Sequence, residues 1–143
     1  MRQPRWVYGI LGAVLVFSAV AVAWALYGGR ETILLRGSFH SVAHKGSGEA
    51  RVVTAGRGGR VLRLLDLKTY PGEDLEVCLV GAPDAEDNDT VRDSQPVCLG
   101  AYQARTAYES YAVPATVDLE RYRAVAIWSR SLRVNFTTAP LAP

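Results

Sequence analysis

Few side chains in this chain could do chemistry. Cys78 and Cys98 are its two thiols and His40 and His44 its two imidazoles, in 143 residues. In an oxidising compartment such a cysteine pair reads as a disulfide, with two free thiols or a ligand or redox pair as the alternatives. The bridge would close a loop of about 21 residues, which contributes ~3 kcal/mol in the chain-entropy picture. No metal is expected, because the cysteine spacing fits no zinc motif and Cys-x-x-Cys is absent. On a helix, His40 and His44 would converge on one ion. The neighbouring glycines and serines argue instead for strand and turn, where positions i and i+4 stand ~13 Å apart. One of the two is therefore expected to be a hydrogen-bonding structural residue. A serine nucleophile has no Gly-x-Ser-x-Gly to sit in. Gly56-Arg57-Gly58-Gly59 lacks the Gly-Lys-Ser/Thr that closes a phosphate loop, and reads as a hairpin turn. Asp66, Asp74 and Asp118 single out no acid pair for glycoside chemistry and suit turn capping and solvation. No catalytic set is expected from these residues.

The elements that must position them begin after an apolar run. Residues 6–27 carry no charge, and follow Arg2 and Arg5. About 22 helical residues reach roughly 33 Å, enough for a hydrocarbon core of about 30 Å. Trp6, Tyr8, Trp24 and Tyr27 lie near the ends of the run, where amphipathic rings favour the headgroups. The preceding arginines place residues 1–5 in the cytoplasm, 6–27 across the bilayer as a signal anchor and the rest outside. Ala19-Val20-Ala21 and its neighbours would suit a signal peptidase in the competing, cleaved reading. Both readings export residues 37–143 as one domain behind a linker at 28–36, and the lipid bilayer is the one partner the run names.

Charge says little more. The chain holds 16 Lys and Arg against 14 Asp and Glu, and removing Arg2 and Arg5 leaves the exported part at 14 against 14. A neutral domain gives no electrostatic footprint for nucleic acid. The sequence names no extracytoplasmic partner, and no cofactor is expected.

Beyond Leu35 the chain reads as short strands cut by turn residues. Strands are predicted at 50–54, 60–67, 75–80, 97–102, 108–113, 124–128 and 132–136. Pro71-Gly72-Glu73-Asp74 is a turn, with Pro presetting φ and Gly permitting the reversal. Residues 81–96 are acidic and read as an exposed loop; the glycine and terminal glutamate of an EF-hand are missing from it. Residues 117–122 suit one helical turn or a loop. This spacing predicts an all-β fold, a compact antiparallel sandwich or barrel. Phe39, Leu62, Leu64, Leu75, Val77, Leu79, Tyr111, Val125, Ile127, Trp128, Val134 and Phe136 are the expected core.

An ordered set of residues then becomes specific. Gly37-x-Phe39, His44, Gly48, Leu62-x-Leu64-x-Asp66 and Pro71-Gly72-Glu73-Asp74-Leu75-x-Val77-x-Leu79 come first. Leu99-Gly100, Tyr111-x-x-Pro114, Leu119-x-x-Tyr122, Val125-x-Ile127-Trp128, Val134-x-Phe136 and Ala139-x-Leu141 follow. This series resembles the DM-thirteen domain family. The resemblance implies a compact β domain, secreted or membrane-tethered, proposed to move electrons at cell surfaces. Its suggested redox element is a cysteine just after the Ile-Trp pair, as a bare thiol or holding a group such as haem. Here that position is Ser129, and the glycine expected before the tyrosine is Ala107. A serine hydroxyl is neither redox-active nor a soft ligand. Two functions follow as expectations: a binding or structural module that has lost the redox cysteine, or an electron-transfer or thiol-redox module using Cys78 and Cys98 or a prosthetic group. His44, Trp128 and Ser129 are the residues that would line a pocket.

Overall fold

Strand β5 (Leu75–Val80) shows how the sequence makes the core. Its alternate residues Leu75, Val77 and Leu79 face one way and are buried in the main core. Cys78 and Val80 face the other way and are buried in a second cluster. The computed structural model describes residues 31–56 and 58–143. The proposed anchor at 6–27 lies outside these residues. Among the described residues no helix is long and apolar enough to cross a membrane.

The described chain is all-β, with two antiparallel sheets packed as a sandwich. The remaining elements are β1 (Thr32–Ser38), β2 (His40–Ser41), β3 (Gly46–Thr54), β4 (Arg60–Thr69), α1 (Asn88–Asp93), β6 (Val97–Ala101), β7 (Tyr108–Val113), β8 (Ala124–Ser129) and β9 (Val134–Pro140). One sheet runs β1-β3-β4-β7 and the other β2-β9-β8-β5-β6. Leu35, Val52, Leu62 and Leu64 from the first sheet meet Val77, Leu79, Val125, Ile127 and Phe136 from the second. Side chains from two facing sheets interdigitate in this way in any sandwich. All six residues of β8 are buried, which explains why its sequence is an unbroken apolar run rather than an alternating one.

Three expectations are corrected. The segment read as linker enters the first sheet, since β1 pairs with β3 and buries Leu35 to 5% exposure. Its alternation was hidden by a register shift between Ile33 and Leu35. The segment 81–96 is not simply an exposed loop. It carries α1 and buries Ala85 and Val91 against the outer face of the second sheet. Its acids are in part helix-start signals: Asp87 accepts the Thr90 N–H at 2.6 Å, and Asp89 sits in the first turn, where the helix dipole favours it. The last strand begins at Val134 rather than Leu132, because Leu132 is 58% exposed in the preceding turn and Arg133 takes a positive φ. Tyr111 and Val134 are half-buried at the margin of the core, and Trp128 belongs to the outer cluster.

Turn residues behave as their chemistry requires. The β3–β4 hairpin closes through Ala55 N–H to the Gly59 carbonyl (2.7 Å). Asp118 caps its own turn by accepting the Glu120 N–H at 2.9 Å. Gly48, at φ +118°, lies at the register shift between Ser47 and Glu49 and against the backbone of Leu67 and Asp66. A Cβ there would sit 2.7 Å from the Leu67 Cα.

Candidate functional site

The sheet register brings Ser129 to the end of β8, opposite Leu75 and Val134. Its side chain is wholly buried. The hydroxyl donates to the Glu73 carbonyl at 2.9 Å and accepts the Leu132 N–H at 3.3 Å. Glu73 lies in the turn before β5 and Leu132 in the turn after β8. Ser129 therefore ties two turns together with one oxygen. A thiolate-held group at this position needs a cysteine, a haem held here needs an axial His, Cys, Met or Tyr, and either needs access; a serine hydroxyl is none of these ligands and is wholly buried. The residues present therefore do not fit such a group.

Trp128 points to the opposite face of the same strand. It packs with Cys78, Val80, Val91, Ala124 and Ala126. Cys78 and Cys98 are register partners on β5 and β6 and are joined by a disulfide, S–S 2.06 Å. The two sulfurs have different surroundings. Cys78 is wholly buried, whereas Cys98 is exposed on β6, the edge strand of its sheet. Glu76, two residues before Cys78, brings a carboxylate oxygen within 4.8 Å of both sulfurs. Arg130 stands 3.5 Å from that carboxylate. With the sulfurs bonded to each other, the carboxylate is the one ordinary ligand group in this trio.

The two histidines take separate partners. His44 lies over Phe136, with ring centroids 4.3 Å apart, and stacks on Tyr70 at 5.3 Å. Its aromatic contacts are thus with β9 and the end of β4, not with Ser129. His40 Nε2 meets the Asp84 carboxylate at 2.7 Å, and Nδ1 meets the Ser41 carbonyl at 3.2 Å. Burial pulls the His40 pKa down, but hydrogen bonds to Asp84 and Ser41 and the nearby charges of Asp84 and Glu86 outweigh it, and the net shift is upward. Two acceptors facing two ring nitrogens suit an imidazolium donating from both.

Sequence reasoning missed Asn135. Buried on β9, it accepts at Oδ1 from the Thr138 hydroxyl, and its Nδ2 reaches Thr138 Oγ1 (2.8 Å) and the Ala85 carbonyl (3.2 Å). Its backbone N–H donates to Asn88 Oδ1 at 2.8 Å. Asn135 thereby holds the segment around α1 onto the second sheet. The signal is slight: one polar residue between Val134 and Phe136, on a face covered by a segment whose many acids resemble an exposed loop.

A two-sheet antiparallel sandwich with a cross-strand disulfide and a helix-bearing cover over one face is the class of domain these observations define. The family model described as Electron transfer DM13 matches residues 38–141, and the chain belongs to that family. No curated protein and no solved structure matches the chain.

Proposed function

We propose that this chain is a membrane-anchored, extracytoplasmic DM13 domain that serves as a binding or structural module. The observation that carries the reading is Ser129: the family's suggested redox position holds a buried hydroxyl with both its donor and its acceptor capacity used on backbone. The anchoring half of the proposal is supported by the uncharged run at 6–27 behind Arg2 and Arg5. The disulfide supports export, because such bonds persist in oxidising compartments.

A second reading uses Cys78 and Cys98 as a dithiol–disulfide couple, and the exposure of Cys98 favours it. An external dithiol would attack the Cys98 sulfur, break the S–S bond and release Cys78 as the leaving thiolate. A second attack by that dithiol on the mixed disulfide would leave both cysteines reduced and the dithiol oxidised. However, the leaving thiolate would form at a wholly buried position near the Glu76 carboxylate, and both features disfavour the anion. That argument ranks the couple below the module.

The test is to purify the full-length protein from membranes without reductant, record its visible absorption and count thiols after unfolding. The module reading expects no visible band and no free thiol. A band that bleaches and returns on redox titration would overturn it.

A further inference from the structure

Only two of the 16 basic residues are lysines, Lys45 and Lys68, and both line one groove. They come from different elements, the β2–β3 turn and the end of β4. The pairing Ser47 to Lys68 and Gly46 to Thr69 brings them together. The groove is shallow and open to solvent, with a volume of about 430 Å³. Ser41 and Ser47 add hydroxyls, Tyr70 adds an aromatic wall, and no acidic side chain among the described residues lines the space.

Two features suit this groove to a ligand. The turn that carries Lys45 is held in place: the N–H groups of Val42, Ala43 and His44 donate to the carbonyls of Phe136, Asn135 and Phe136, and Gly46 N–H donates to Ser41 Oγ. A Cβ at Gly46 would strike Thr137, so the turn bearing Lys45 is seated close against β9. Tyr70 is 62% exposed although His44 stacks on it. A large ring fixed from one side and open to solvent on the other is a platform for a ligand ring.

Two ammonium groups without a competing carboxylate select an anion. The hydroxyls and the open aromatic ring select a polyhydroxylated ring next to it. We propose that the groove binds an acidic sugar unit, with its carboxylate or phosphate between Lys45 and Lys68 and its ring on Tyr70. This assignment rests on the binding-module reading and names the ligand class for it. Uronate and sugar phosphate share the required chemistry, and the experiment separates them.

Full-length protein in detergent is titrated with glucuronate, glucose 6-phosphate, glucose and inorganic phosphate, following Tyr70 fluorescence against a Tyr70→Phe control and heat by calorimetry. The expected result is saturable binding of glucuronate or glucose 6-phosphate, with the tighter of the two identifying the acid. Glucose and phosphate alone should bind about tenfold more weakly or less. Loss of a charge-assisted contact should weaken binding about tenfold in Lys45→Gln and again in Lys68→Gln. Tyr70→Ala should weaken the sugar acids and leave phosphate unchanged. Equal binding of phosphate and glucose 6-phosphate, equal binding of glucose, indifference to the lysine changes, or no binding at millimolar ligand would each overturn the proposal. None of those results puts a redox centre on the protein, so the module reading would survive them and fail only on its own spectroscopic test.

Discussion

Replacing Ser129 with alanine removes one oxygen and two hydrogen bonds. The bond to the Glu73 carbonyl is of ordinary length, and the one from Leu132 N–H is longer at 3.3 Å. Net contributions of about 0.5–1.5 kcal/mol per bond give roughly 1–3 kcal/mol for the pair. The lower half applies if water reaches the freed groups, because Glu73 and Leu132 are themselves exposed residues. For a domain of about 110 residues, an unfolding entropy near 2.1 cal/mol/K per residue makes each 1 kcal/mol worth about 4 °C, so Tm should fall by about 4–12 °C. Circular dichroism of the oxidised full-length protein in detergent measures this directly. Ser129→Cys is the informative partner variant. Its thiol would occupy a wholly buried position, so it should resist alkylation in the folded protein and react after unfolding. A loss below about 0.5 kcal/mol in the alanine variant would refute the view that this hydroxyl is a structural tie. Rapid alkylation of the folded cysteine variant would show that the position is open to solvent and to a redox partner.

Three other perturbations follow from the same packing. Asn135→Ala strands the Ala85 carbonyl and the Thr138 hydroxyl, so it should cost about 2–3 kcal/mol and, in hydrogen exchange, loosen residues 85–93 ahead of the sandwich. Gly48→Ala forces a Cβ onto the Leu67 and Asp66 backbone at positive φ, and chemical denaturation should show a loss of at least about 2 kcal/mol. His40 has its folded pKa raised above the usual 6.5. Its contribution is therefore fully present below the unfolded pKa and is lost as pH rises through the folded value. Unfolding measured from pH 5 to pH 9 should show this decline, and Asp84→Asn should flatten it.

Much of the fold was legible because strand alternation and turn chemistry are local. The bounds of β5 and β7 coincide with the apolar runs at 75–80 and 108–113. The runs at 60–67 and 124–128 fall short of β4 and β8 by two residues and one residue. Strand β1 was hidden because its register shift puts Ile33 and Leu35, rather than one unbroken alternation, against β3. The cover formed by α1 was hidden because its burial depends on two small apolar residues, Ala85 and Val91, among many acids. The Cys78–Cys98 pairing was readable from compartment and count, but the contrast between a buried and an exposed cysteine depends on β6 being a sheet edge. The groove at Lys45 and Lys68 could not be read at all. It arises from pairing between residues 23 apart in sequence, which no local pattern announces.

The proposed module keeps its disulfide as a staple and carries no redox couple. Equilibrating the native full-length protein with dithiol buffers of known potential, and trapping Cys78 and Cys98 at each point, tests it most directly. The account predicts a midpoint below about −300 mV, as for structural disulfides, with no coloured couple accompanying it. A midpoint near about −200 mV, in the range of exchanging dithiols, or a coloured one-electron couple, would contradict it.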